Sequence, residues 1–190
     1  SALAAGYNWV YALSPVAAGT ILGGLIQLMV LFGFHWALVP IAISNISEFG
    51  SDTILAFFAP AVFAQAGACL AVCIKTRSRP YRAICLSAAM SACFGITEPA
   101  MFGVTLPLKK PLVAVCISGA VGGAIVGASG ASAMSFAFPG LATLPVFLGH
   151  GFALMAVGCL GAMVLAFALS LIMRFPSEPA ALKDGEAIRT

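Results

Sequence analysis

Charged residues are scarce in this sequence: Asp, Glu, Lys and Arg make up 8% of its 190 residues, while 62% are hydrophobic. A soluble domain usually carries about 25% charged residues, so the composition excludes an ordinary soluble protein. No Lys, Arg, Asp or Glu lies within residues 1–34 or between Lys110 and Arg174. The sequence therefore predicts an all-α polytopic membrane protein embedded in a lipid bilayer.

Cysteine and histidine are too scattered for a metal site. The six cysteines include no CxxC pair, and no histidine lies near enough in sequence to complete a zinc site. Buried free cysteine behaves as a small apolar residue, and we interpret all six in this way. An HExxH motif is also absent, which disfavours an intramembrane hydrolase. We expect no metal, no cofactor and no nucleic-acid partner.

Four uncharged runs are long enough to cross a membrane, which takes about 20 residues. They cover residues 13–34, 53–74, 112–131 and 152–173. The basic cluster KTRSRPYR follows the second run, and the positive-inside rule places such a cluster in the cytoplasm. We assign residues 1–175 to the membrane domain and the polar residues 176–190 to a disordered cytoplasmic linker.

Two segments between these runs are too short or too interrupted to be crossings. Residues 35–52 are apolar at first, are broken at Pro40 and end in polar residues. They either lie outside the membrane or dip into it and return. Residues 132–151 are rich in Gly, Pro and Ser, which indicates a loop or a second partial insertion.

Residues 83–108 form an apolar stretch that contains Glu98 within the motif GITEP. The stretch is either one crossing or a hairpin that enters and leaves the membrane on one side. A glycine and two prolines interrupt any continuous helix. A hairpin also keeps the following Lys109 on the side of the earlier basic cluster. We therefore predict a re-entrant hairpin with its tip at Gly95–Pro99.

The carboxylate of Glu98 is expected to be functional, because a charge within hydrocarbon is costly. Pro99 suits the first turn of a helix, and Thr97 is expected to cap that helix with its hydroxyl. The helix dipole then stabilises a negative charge on Glu98. Unwound backbone survives in a membrane where it lines a cavity, so we predict a wet pocket near mid-depth. The alternative is that Glu98 pairs with a cation from another part of the protein.

Other polar residues are candidates for the same pocket. His35 follows an apolar run, and it is either an interfacial histidine or a group that polarises a hydroxyl held by Glu98. Gln65 lies within a predicted crossing and is a candidate pocket residue, as is Asn45. Asp52 either lines the same pocket or caps the helix that follows it.

At these residues the sequence resembles a known family. GITEPAMFGVTLPLKKP, with FGFHWALVPI upstream and FGSDTILAFFAPAVFAQAGACLAV between them, closely resembles the membrane-spanning IIC domain of sugar phosphotransferase permeases. The resemblance covers most of residues 10–175 and is greatest to the β-glucoside, sucrose and trehalose branch of the glucose superfamily. It implies a multi-pass protein of the bacterial inner membrane that takes up a sugar and phosphorylates it during uptake.

The resemblance also implies roles for residues and partners. Glu98 would bind sugar hydroxyls, and His35 would help to activate the hydroxyl that receives phosphate. We take Thr97, Gln65 and Asn45 as further substrate contacts. Phosphate would come from a cysteine on a separate IIB domain, charged in turn by IIA and the general carrier HPr. Two re-entrant hairpins would face each other across the sugar.

The sequence departs from the family pattern in length. The helical first half of a IIC domain, which carries the homodimer contacts, and the IIB phosphocysteine motif are absent. We therefore expect a C-terminal, substrate-binding half that begins partway through a longer protein and does not transport alone. Met101 and Phe102 also depart from the pattern, so the resemblance does not identify the preferred sugar. The alternatives are an ion- or proton-coupled secondary sugar transporter and an inactive truncated permease fragment.

Overall fold

The structure, a computed structural model, describes residues 9–177 and 179. Over these residues the named elements are all helices, so the predicted all-α class is confirmed. The segment 98–108, called α5, joins Glu98–Ala100, the π-helical turn Met101–Thr105 and Leu106–Leu108. The other α-helices are α1 Pro15–Leu31, α2 Val39–Phe49, α3 Ile54–Lys75, α4 Arg79–Cys93, α6 Lys110–Ser129 and α7 Phe152–Ile172.

The apolar helices match the predicted crossings. Helices α3, α6 and α7 have 22, 20 and 21 residues and are long and apolar enough to cross a membrane. Helix α1 is a shorter apolar helix of 17 residues. Its N-cap is Ser14, whose hydroxyl accepts a hydrogen bond from the Ala17 N–H at 3.2 Å, and Pro15 occupies the first turn. The prediction of four apolar helices is thus confirmed.

Glycine residues bring α1 and α6 into backbone contact. Gly19 lies against Gly123, and Gly23 lies against Gly119. A Cβ on any of the four would overlap a carbonyl oxygen of the facing helix. Small residues at this spacing allow such close approach. The order of the pairs shows that α1 and α6 run antiparallel.

The directions of the helices explain the path of residues 34–49, which connect α1 to α3. Val115, early in α6, packs with Ala68 of α3 and Ala166 of α7, both late in their helices, so α6 is antiparallel to both. Helices α1, α3 and α7 therefore run in one direction. The chain returns from the end of α1 to the start of α3 through the 3₁₀-helix Phe34–Leu38 and the 11 residues of α2.

Basic residues gather at one end of the bundle. The Lys75 ammonium, at the end of α3, donates to the carbonyl oxygens of Leu171 and Met173 at 3.0 and 2.6 Å, next to Arg174. The charge of Lys110, at the start of α6, lies near enough to act on Lys75. We call this end, marked by Lys75, Lys110 and Arg174, the basic end.

The predicted linker, residues 176–190, lies almost entirely outside the described residues. The boundary between residues 1–175 and this tail therefore stays a prediction.

Candidate functional site

Helices α4 and α5 form a hairpin. Helix α4 leaves the basic end, the chain reverses at residues 94–97, and α5 leads back to Lys110 at the same end. The Tyr81 hydroxyl of α4 donates to the Gly103 carbonyl of α5 at 3.2 Å and joins the two arms. The predicted tip near Gly95 is therefore the point at which the chain turns.

The residues of the GITEP motif account for the reversal of the chain at the hairpin tip. The Gly95 N–H donates to the Ala92 carbonyl at 2.9 Å and the Ile96 N–H to the Ser91 carbonyl at 3.1 Å. This pair of bonds is the Schellman ending of a helix, which favours glycine in a left-handed conformation. Gly95 has φ +93°. Pro99 then lies in the first turn of α5, where its missing N–H costs nothing.

The prediction that the Thr97 hydroxyl caps α5 is wrong. Thr97 occupies the cap position, but its side chain makes no capping hydrogen bond. A side-chain cap requires an extended backbone at that residue, whereas Thr97 has helical angles of −94° and −12°. Its carbonyl accepts the Met101 N–H at 2.8 Å, which is the first hydrogen bond of the helix. Glu98 nevertheless lies in the first turn, as predicted.

A cavity of about 350 Å³ lies at the hairpin tip. Small-molecule sites usually measure about 300–1,000 Å³. Its walls come from α1, the 3₁₀-helix Phe34–Leu38, α3, the tip and the loop between α6 and α7. The lining residues with polar groups are Gln27, His35, Trp36, Thr97, Glu98 and Thr143.

The long loop between α6 and α7 closes one side of the cavity. It is mostly irregular, with a 3₁₀-helix at Leu141–Phe147. A Cβ on Gly95 would come within 2.7 Å of the Pro139 carbonyl oxygen, so the loop backbone touches the hairpin tip. For residues 132–151 the sequence predicts either a loop or a second partial insertion into the membrane. The structure shows two non-helical segments that meet beside the cavity.

His35 and Glu98 share this cavity. His35 is 9% exposed, and its Nδ1 is buried without a hydrogen-bond partner among the described residues. We therefore take Nε2 as the nitrogen that faces the cavity. The Glu98 side chain is exposed, and across residues 9–177 it forms no hydrogen bond or ion pair. Both functional groups remain available to a molecule in the cavity.

Gln65 lies behind the cavity and does not line it. Its amide is completely buried, donates to Gln27 Oε1 at 3.0 Å and accepts from the Thr105 hydroxyl at 3.1 Å. Direct contact between Gln65 and a substrate stays a prediction, and the geometry gives it no support.

Asn45 likewise lies away from the cavity lining. It donates to the Asp52 carboxylate at 2.8 Å, and the other oxygen of that carboxylate accepts the Leu55 N–H at 2.8 Å. Asp52 therefore caps the start of α3, which is one of its two predicted roles, and it does not line the cavity. Burial raises the pKa of its carboxyl group. A substrate role for Asn45 stays a prediction.

Sequence reasoning missed Gln27, Trp36, Phe138 and Thr143 as cavity residues. Trp36 meets Phe138 edge-on, with 5.8 Å between ring centroids, and the two rings form an aromatic wall. A signal existed for Gln27, because it carries the single amide side chain in α1. The other residues belong to irregular segments whose path the sequence does not reveal.

Comparison with known proteins agrees with this architecture. Residues 1–119 match the family described as Phosphotransferase system, EIIC. The chain belongs to this family. With its apolar helices, this EIIC chain is a protein of the bacterial inner membrane. No solved structure gives a significant match to it.

The relatives of this EIIC chain include PTS system beta-glucoside-specific EIIBCA components. The one from Dickeya chrysanthemi is 46% identical over 139 residues, which cover 73% of this chain and 22% of the relative. The one from Bacillus subtilis is 36% identical over 178 residues, 93% of this chain and 29% of the relative. A sucrose-specific EIIBC component of Bacillus subtilis is 33% identical over 178 residues, 90% of this chain and 39% of the relative. The chain thus spans well under half the length of these relatives.

Proposed function

We propose that this EIIC chain forms the substrate-binding part of a permease that phosphorylates a β-glucoside or sucrose-like sugar during uptake. One observation carries the proposal: the carboxylate of Glu98 and the imidazole of His35 face the same cavity at the hairpin tip. Relatives named for β-glucosides and sucrose supply the sugar class. A neutral sugar needs hydrogen-bonding groups and an apolar wall, and the cavity offers both.

The two residues take different roles in this proposal. The Glu98 carboxylate accepts hydrogen bonds from sugar hydroxyls and holds the ring. His35 Nε2 accepts the proton of the hydroxyl that attacks phosphorus, as a general base does. The phosphorus–sulfur bond of an EIIB phosphocysteine breaks, a phosphorus–oxygen bond forms, and the cysteine leaves as a thiolate. The product carries about two negative charges near neutral pH, so it is repelled by Glu98 and drawn toward the basic end.

The proposed topology places the basic end in the cytoplasm. Cytoplasmic segments of membrane proteins carry an excess of Lys and Arg. The hairpin of α4 and α5 then enters the bilayer from the cytoplasm and returns to it. EIIB docks on the cytoplasmic side, receives phosphate from EIIA and HPr, and the complete EIIC domain forms a homodimer. The names EIIBCA and EIIBC of the relatives support the EIIB and EIIA partnership.

Phosphoenolpyruvate-dependent uptake tests the proposal. Membrane vesicles that hold the protein as it occurs in the cell, supplied with the soluble phosphotransferase proteins, should accumulate a radiolabelled aryl β-glucoside as its phosphate. Accumulation of the unmodified sugar, driven by membrane potential and independent of phosphoenolpyruvate, would support the ion-coupled alternative instead.

Gly95→Ala is expected to weaken sugar binding by about tenfold. A left-handed conformation costs an L-residue about 1–2 kcal/mol, and the new Cβ would press on the Pro139 carbonyl oxygen at 2.7 Å. Both effects shift the tip that carries Glu98. Gly103→Ala is the matched control on the same hairpin, since among residues 9–177 its Cβ would meet only the Ile84 Cγ2 at 3.8 Å. Equal binding by the two variants, measured by sugar titration, would contradict the proposed role of the tip.

A further inference from the structure

A buried chain of polar side chains runs from α5 through α3 to the cavity wall on α1. The Thr105 hydroxyl donates to Gln65 Oε1, and the Gln65 amide donates to Gln27 Oε1. Thr105 and Gln65 are completely buried, and Gln27 is 1% exposed. Each residue belongs to a different helix. A buried amide or hydroxyl without a partner costs about 1–3 kcal/mol, so these two hydrogen bonds hold the three side chains in place.

The Gln27 amide, at the cavity end of this chain of polar side chains, has a free hydrogen-bond donor. Gln27 Oε1 is occupied by Gln65, and among the described residues the Gln27 NH₂ group has no hydrogen-bond partner. Gln27 also lines the cavity. With its oxygen bonded to Gln65, the Gln27 amide presents its N–H groups to a molecule in the cavity.

We propose that Gln27 is a sugar-contacting residue that donates a hydrogen bond to one sugar hydroxyl, and that Gln65 and Thr105 are the positioning residues that hold its amide. This inference rests on the proposed function and adds a specificity determinant to it. The cavity then presents an acceptor, Glu98, on the hairpin and a donor, Gln27, on α1. One sugar hydroxyl can donate to Glu98 and another can accept from Gln27, so the cavity favours a polyhydroxylated neutral ligand.

The same chain of polar side chains connects two walls of the cavity, the hairpin and α1. Thr105 lies on α5, the helical segment that begins at Glu98. The donor on α1 and the acceptor on the hairpin are therefore fixed relative to each other through Gln65. Because the polar groups depend on one another, a change at Thr105 reaches the cavity without touching the sugar.

Binding of monodeoxy sugars tests the proposal directly. The probes are p-nitrophenyl β-glucoside and its derivatives that each lack one ring hydroxyl, titrated against the protein as it occurs in its membrane. We expect Gln27→Met, which keeps the length of the side chain, to bind the parent glucoside about tenfold more weakly. One deoxy derivative should bind wild-type protein as weakly, and Gln27→Met should lose no further affinity for it. Thr20→Val is the control on α1, since within the described part of the chain its hydroxyl bonds only to the Val16 carbonyl of its own helix.

A matched pair of substitutions at Thr105 tests the positioning role. Thr105→Val keeps the shape of the side chain and removes the hydroxyl, whereas Thr105→Ser keeps the hydroxyl. We expect Thr105→Val to weaken binding several-fold and to reduce discrimination against the same deoxy sugar, and Thr105→Ser to restore both. This pair decides the matter if Gln27→Met does not reach the membrane.

The outcomes separate this inference from the proposed function. Wild-type protein that binds none of the glucosides overturns the proposed function, and this inference with it. Wild-type binding with unchanged affinity and discrimination in Gln27→Met overturns the inference alone. Equal binding by Thr105→Val and Thr105→Ser overturns the positioning role.

Discussion

Replacing Glu98 by glutamine is expected to abolish sugar binding and uptake. The substitution keeps the shape of the side chain but turns a pure acceptor into a group that is half donor. Hydrogen bonds to a charged group contribute about 1.5–3 kcal/mol each. The loss of two such bonds to a sugar lowers affinity by at least about a hundredfold. Equilibrium binding of a radiolabelled β-glucoside to membranes measures the loss.

Glu48→Gln is the matched control for this experiment. Glu48 lies on α2, is exposed and accepts a hydrogen bond from the Ser44 hydroxyl at 3.1 Å, away from the cavity. The same change of charge and shape at this position should leave binding unchanged. Wild-type affinity in Glu98→Gln would remove Glu98 from the sugar site. Equal loss in both variants would point to a general effect of charge on the membrane protein.

The hairpin was predictable because its signals are local. Gly95 permits the left-handed end of α4, Pro99 permits the start of α5, and few other residues satisfy these positions. Lys109 predicts that the hairpin returns to the side of the membrane from which it entered, because basic residues prefer one face. A short motif therefore contains the turn, and the side of the membrane stays a prediction.

The capping role assigned to Thr97 shows where local rules end. The rule that a hydroxyl before a helix caps it assumes an extended backbone. Here the Schellman ending of α4 and the start of α5 lie so close together that Thr97 is already helical, with ψ −12°. Its hydroxyl therefore caps no helical N–H, and the residue takes part in the cavity wall.

The remaining cavity residues depend on tertiary packing. Gln27 and Gln65 each carry the single amide of an apolar helix, yet only the crossing of α1 and α3 shows which of them reaches the cavity. The approach of Phe138 to Trp36 depends on the path of an irregular loop. Such contacts join residues far apart in sequence, and hydrophobic periodicity carries no information about them.

His35→Gln is expected to separate phosphorylation from binding. A glutamine amide can still hydrogen-bond to the hydroxyl near the position of Nε2, but it cannot take up the proton. General-base catalysis contributes about 10²–10⁴-fold to a rate, so phosphoenolpyruvate-dependent phosphorylation should fall by at least about a hundredfold. Sugar affinity should change less than about tenfold. Rates of sugar phosphate formation and equilibrium binding, measured on the same membranes, give the two quantities.

His150→Gln and His35→Ala complete the argument about this histidine. His150 lies beside Gly130 and does not line the cavity, so its substitution should affect neither quantity. His35→Ala removes the hydrogen bond as well as the base, and it also removes a ring that packs beside Trp36 at 5.6 Å between centroids. It should therefore lose more affinity than His35→Gln at a similar rate of phosphorylation. Parallel losses of rate and affinity in His35→Gln would make His35 a binding residue only, and the proton of the attacking hydroxyl would then need another acceptor.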